Sequence, residues 1–304
     1  YAFGTSPVFW MNLECKYRLV LAQKMAASSE EVTRKAHLYE WVPVGELLKR
    51  GWLEASDSVD ELESAVCRFL GVDSVGQEPR MAVSLRHSLE DVSERAAQRA
   101  WVKRVEQLAR TQTVGAFDGA RLSSAISELI AESTTVEGVA RVPELLQRLG
   151  IRFVVVPHLP KTRLDGAAAF AAEGPIVALT MRFDRIDYFW FTLLHEVAHL
   201  ALEHRGGHLD GDTDGDVIDA EETAANELAS SWLVSDATIR AFAAKHRLTP
   251  SKAAIEAFAI EHRLHPGIVV GRLHHLKIAP FTHFRGMIVK VRDRLEPWTD
   301  RGAE

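Results

Sequence analysis

Residues 195–199 read His-Glu-Val-Ala-His. On a helix, positions i and i+4 lie a turn apart on one face, so the imidazoles of His195 and His199 can reach one metal ion. Glu196, between them, points to the adjoining side, where it can take a proton from water activated by that metal. Phe189, Trp190, Phe191, Leu193 and Leu194 precede the motif and Leu200 and Leu202 follow it, a pattern that predicts a buried helix. A pentapeptide of this form also arises by chance, so a site requires a further ligand elsewhere in the chain.

A catalytic zinc takes three protein ligands and keeps one position for water. The segment Glu221-Glu222-Thr223-Ala224-Ala225-Asn226-Glu227-Leu228 offers the third ligand on the next predicted helix. With Glu222 in that role, Asn226 lies one turn later and can orient a histidine through its free ring nitrogen. Glu221 points about 100° away and is the weaker candidate. Ala224, Ala225 and Ala229 are small enough to let two helices approach closely. Burying such groups without a metal would leave several polar atoms unpaired, which favours zinc over packing. For an oxyanion donor the sequence offers Tyr188, His158, His265 and Arg272 without placing any of them. His204 and His208 stand near the motif, but His204, five positions after His199, is expected to face away.

Between the two proposed metal helices runs Asp210-Gly211-Asp212-Thr213-Asp214-Gly215-Asp216-Val217-Ile218-Asp219-Ala220-Glu221. It fits the calcium-loop template, with Asp210, Asp212, Asp214, Asp216 and Glu221 as the oxygen donors. Ile218 at the ninth position is a poor fit, Glu221 abuts the proposed zinc ligand, and no second loop accompanies it. A solvated acidic connector, favourable before a helix N-terminus, is the preferred reading.

The elements that must hold these residues follow from pattern. Ile151 to Val156 is short and β-branched, and Ala167 to Ala172 and Ile176 to Met181 flank a Glu173-Gly174-Pro175 turn. These runs predict a three-stranded meander ending in a hairpin, and 176–181 reads equally as an edge strand for an extended substrate peptide or as an ordinary core strand. Four helical segments follow: Tyr188 to His204, Ala220 to Val234, Ser251 to His262 and Pro266 to Leu276. The first half reads as helical and rather polar. Thr5-Ser6-Pro7 starts one helix, Gly51 and Gly71 stop two others, and Ser88 to Arg110, Ser123 to Ile130 and Val142 to Leu149 supply three more. The expected class is α+β: a mostly helical N-terminal half, then a small three-stranded sheet packed on helices around a zincin-like HExxH helix.

Composition bounds the function. Against 36 basic residues stand 42 acidic ones, a formal charge of −6, which argues against a long basic nucleic-acid surface. Cys15 and Cys67 are the chain's two cysteines, so neither a disulfide framework nor a thiolate zinc cage is available, as suits a reducing cytoplasm. The most apolar window, 187–202, is broken by His195, Glu196 and His199, so no membrane span is expected. Gly206-Gly207 has no phosphate-loop lysine, and 104–110 is a mixed-charge helix rather than a nucleic-acid stripe.

Three stretches together resemble the ImmA/IrrE-type zinc metallopeptidases: Gly150-Ile151-Arg152-Phe153-Val154, Phe189-Trp190-Phe191-Thr192 through His199, and Glu222-Thr223-Ala224-Ala225-Asn226. The likeness runs on to His265-Pro266-Gly267-Ile268-Val269-Val270-Gly271-Arg272-Leu273, so it covers roughly the second half. Leu228 stands where the family usually has Phe. The resemblance implies zinc on His195, His199 and Glu222, a catalytic carboxylate at Glu196, and cleavage of a helix-turn-helix repressor in a stress or mobile-element response. Residues 5–13 are similar to the last helix of a HigA/Xre-type helix-turn-helix domain, and the chain opens on Tyr1, so an upstream DNA-reading segment is expected. The expected layout is 1–25 as its remnant, 26–133 as a helical domain and 134–304 as the peptidase domain. The first expectation is a cytoplasmic zinc endopeptidase of narrow specificity acting on a DNA-binding repressor. The alternative is an antitoxin-like transcription regulator whose zinc domain senses or binds a partner. The helical first half offers a surface for a homodimer.

Overall fold

The computed structural model describes residues 7–83, 91–204, 208–211, 220–246 and 250–302. The chain divides into two compact units, residues 1–79 and 80–302.

The first unit is helical. It comprises α1 (Pro7–Trp41), α2 (Val44–Lys49) and α3 (Val59–Leu70). Pro7 opens α1 as expected, whereas the expected cap residues Thr5 and Ser6 lie outside the described residues. Ser58 caps α3 by accepting from Glu61 N, and Gly71 closes it at φ 70°, a conformation that suits glycine. Leu38, Val44, Leu47, Val66 and Leu70 form the buried centre, and Arg34 ties α1 to α3 through both carboxylate oxygens of Glu63, at 2.9 and 2.6 Å.

The second unit begins with α4 (Val92–Arg110), α5 (Gly119–Glu132) and α6 (Val142–Arg148). Asp91 caps α4 by accepting from Ser93 N, and the earlier start expected at Ser88 lies outside the described residues. Gly150, at φ 78°, follows α6, and a Cβ there would fall within 2.6 Å of Phe117 N. Turn and packing thus both demand glycine at the entry to the sheet.

Four strands follow the order β1-β3-β2-β4: β1 (Arg152–Val155), β2 (Leu164–Ala171), β3 (Gly174–Leu179) and β4 (His208–Gly211). The three expected strands are present and β2–β3 is the expected antiparallel hairpin. The meander is not: β1 pairs with β3 in parallel, and β4 adds to β2. The run that reads equally as edge or core strand is therefore interior. Ile176 to Leu179 is apolar on both faces and buried, so it gains most from a neighbour on each side. The margin at β1 is covered: the Gln112 side-chain amide bonds both Phe153 N and Phe153 O, and Asp300 N donates to Val155 O.

Helices α7 (Ile186–Ala201), α8 (Ala220–Leu233), α9 (Asp236–Lys245), α10 (Lys252–His262) and α11 (Pro266–His275) complete the unit. Where four helical segments were expected, the described residues hold five α-helices, α9 being the addition. Its signal is local, a Ser235 cap accepting from Thr238 N with Asp236 in the first turn. α7 crosses the sheet, burying Trp190, Leu193, Leu194 and Val197 among Phe153, Val177, Leu179 and Val269. The fold is α+β.

Candidate metal centre

α7 is apolar almost all round, and that is what makes its polar residues informative. His195 and His199 are 1% exposed and Glu196 0%. Spaced four apart, the two rings stand edge to face with centroids 4.6 Å apart and Nε2 atoms 3.0 Å apart. α8 packs beside α7 with Ala225 and Ala229 fully buried, so small side chains permit the approach. It brings Glu222 Oε2 to 3.3 Å from His195 Nε2 and 3.8 Å from His199 Nε2. Glu221, its sequence neighbour, is exposed.

Among the described residues, His195, His199 and Glu222 are the group able to hold a metal ion, their ligand atoms all within 4.8 Å of one another. A tetrahedron with zinc–ligand bonds of about 2.0–2.1 Å has edges of roughly 3.3 Å. The three separations bracket that value, and two imidazoles with one carboxylate are a catalytic zinc donor set. The residues present fit zinc.

The histidine dismissed from the sequence enters here. α7 ends at Ala201, Glu203 turns the chain at φ 54°, and His204 N donates to His199 O at 3.0 Å. The turn folds His204 back, so its Nδ1 lies 2.9 Å from His199 Nδ1. Regular helical offset would have carried it away, and the left-handed residue reverses that.

Phe191, a turn before His195, stacks on its ring with centroids 6.3 Å apart. Asn226, a turn after Glu222, lines a cavity of about 540 Å³ with Phe191, Thr223, Ser230, Arg272 and His275. The cavity therefore lies one turn along both helices from the donor trio. Arg272 is buried and pairs with Asp236, its guanidinium 5.6 Å from the Phe191 ring centroid. Burial lowers its pKa, and the Asp236 carboxylate opposes that shift.

Of the four oxyanion candidates, Tyr188 and Arg272 share the lining of one cavity, whereas His158 and His265 are not part of it. His265 caps α11, its Nδ1 accepting from Gly267 N at 3.0 Å, and burial pushes its imidazole below the usual range. Tyr188 packs on Phe183 with centroids 4.5 Å apart and, with Arg272, lines a second cavity of about 200 Å³. His158 is exposed in the loop after β1.

The calcium reading is not supported. Asp210 lies in β4, Glu221 lies on α8, and Asp212, Asp214 and Asp216 fall outside the described residues.

The comparison with protein families bears on this arrangement. Residues 148–265 match the IrrE N-terminal-like domain, the Peptidase_M78 family. No curated protein and no solved structure matches the chain. The matched segment holds β1 to β3, α7 and α8, and with them the whole donor trio. It supports the ImmA/IrrE resemblance and indicates a peptidase, hence a hydrolase. Among the described residues no helix is long and apolar enough to cross a membrane.

Proposed function

We propose that the chain is a zinc-dependent endopeptidase of the ImmA/IrrE type, with zinc held by His195, His199 and Glu222. The observation that carries this reading is the set of donor separations, 3.0, 3.3 and 3.8 Å, with the buried carboxylate of Glu196 next to His195 on the same helix. Zinc bound there supplies Lewis acidity toward the scissile carbonyl and lowers the pKa of the attacking water. Glu196 accepts the proton of that water on its carboxylate and returns it to the leaving amine nitrogen. Burial of Glu196 keeps bulk water from competing for that proton. Phe191 holds the His195 ring by stacking, and His204 holds the His199 ring through Nδ1, so each imidazole keeps Nε2 toward Glu222.

The family likeness, together with residues 5–13, supports a DNA-binding repressor as the protein substrate, cut in a stress or mobile-element response. A helix-turn-helix segment upstream of Tyr1 would bring the chain to DNA. The matching test incubates the purified chain with candidate helix-turn-helix repressors and follows fragment formation. Cleavage is expected with the zinc-loaded wild type, and Glu196→Gln should reduce it about 10²–10⁴-fold with zinc retained. Equal cleavage by Glu196→Gln removes the carboxylate from the chemistry. Zinc that fails to bind near one equivalent per chain removes the metallopeptidase reading altogether.

A further inference from the structure

Glu196 leaves α7 on the side that faces the sheet, and the strand it meets is β2. On that face of β2 the side chains are minimal. Gly166 lies opposite Leu179 of β3 and Ala168 opposite Val177, and Ala168, Val177 and Leu179 belong to the core beneath α7. Gly166 is the tightest point. A Cβ there would lie 2.5 Å from Glu196 Oε1 and 3.1 Å from Glu196 Cδ, with Ala178 O also at 3.1 Å. Carbon and oxygen do not approach to 2.5 Å without one of them moving. The sheet backbone is held by β3 on one side and β4 on the other, so the carboxylate is the group that would move. The pairing of β2 with β4 also slips here: Leu164 pairs with Gly211 and Gly166 with Asp210, which leaves Asp165 as an extra residue. A bulge of this kind bends a strand and re-aims what lies beside it.

We infer that Gly166 is a positioning residue for Glu196: by carrying no side chain, it lets the backbone of β2 form the wall against which the proton-accepting carboxylate rests. The glycine needs no left-handed backbone to explain it, because its φ is outside that region. Its reason is contact. The inference rests on the reading of Glu196 as the proton acceptor, and the test separates the two.

Gly166→Ala is expected to keep near one zinc per chain and to lose at least about ten-fold in kcat with KM within about two-fold, since the methyl rotates the carboxylate and leaves the donor trio in place. Glu196→Asp withdraws the carboxylate by one methylene, so Gly166→Ala should cost markedly less in that background. The second readout needs no activity. In a thermal-unfolding cycle, Gly166→Ala should lower Tm by about 2–4 °C with Glu196 present and leave it unchanged or raised in Glu196→Ala. A Tm loss equal in both backgrounds overturns the inference, because the glycine then answers to Ala178 or the backbone. If Gly166→Ala alone does not fold but the double variant with Glu196→Ala does, the contact is supported; failure of both overturns it. A wild-type chain that binds zinc without cleaving would defeat the peptidase reading while the thermal cycle still decides the contact.

Discussion

His204 Nδ1 lies 2.9 Å from Nδ1 of His199, the ring whose Nε2 faces Glu222. The contact exists because Glu203 takes φ 54° just past the end of α7 and swings the next residue back. A partner on the far nitrogen of a ligating imidazole sets its tautomer and orientation. His204→Ala is therefore expected to weaken zinc binding about 10–100-fold without removing it. Competition with a chelating dye measures this, and an unchanged affinity would show that His199 needs no such partner.

The proposed ligand set makes a sharper statement about stoichiometry. His195→Ala and Glu222→Ala should lose bound zinc, while Glu221→Ala, altering an exposed side chain, should keep near one equivalent. Zinc at a hundred times its dissociation constant should stabilise the wild type by about 2.7 kcal/mol, and a chelator should remove that gain. Elemental analysis paired with thermal unfolding decides it. Zinc retained by Glu222→Ala would move the third ligand elsewhere.

Arg272 and Asp236 form a lopsided ion pair: the Arg272 side chain is 5% exposed and the Asp236 side chain 49%. Asp236→Ala leaves the buried cation without its counter-charge and should cost about 1–2 kcal/mol, below the roughly 3–5 of a fully buried pair because half of Asp236 already faces water. Replacing the cation as well, in Arg272→Met with Asp236→Ala, should restore much of that loss. Denaturant melts of Asp236→Ala, Arg272→Met and the double variant check the cycle, and additive effects would contradict the coupling.

Stability should fall in mild acid. Burial holds His265 below its usual pKa of 6.5, so between the lowered value and 6.5 the unfolded chain binds more protons than the folded one. Its contribution is then complete above 6.5 and is lost as pH falls toward the lowered value. His274 and His275 are lowered chiefly by the same cause and act in the same direction. The denaturation midpoint should drop from about pH 7 to about pH 5, and less steeply in His265→Asn, which keeps a capping acceptor without titrating. An unchanged slope in that variant would exclude His265 as a contributor.

Short-range chemistry was open to reading in the residues themselves. The spacing of His195 and His199, the apolar run around them and the stop at Gly71 depend on neighbours within a few positions, and each stands where local physics puts it. Glu222 could be named as the candidate third donor because the period of a helix separates it from Glu221. What depends on distant partners was not readable. The parallel pairing of β1 with β3 hides in a run that alternates no differently from an edge strand. The return of His204 hangs on one left-handed residue, and the need for glycine at 166 on a carboxylate arriving from another element. The sequence alone determined the donor types and the helices that carry them, because both follow from side-chain chemistry and periodicity. Tertiary structure decided how far apart the donors sit and what presses on Glu196, because those distances are set by the packing of α8 and β2 against α7, which no local pattern encodes.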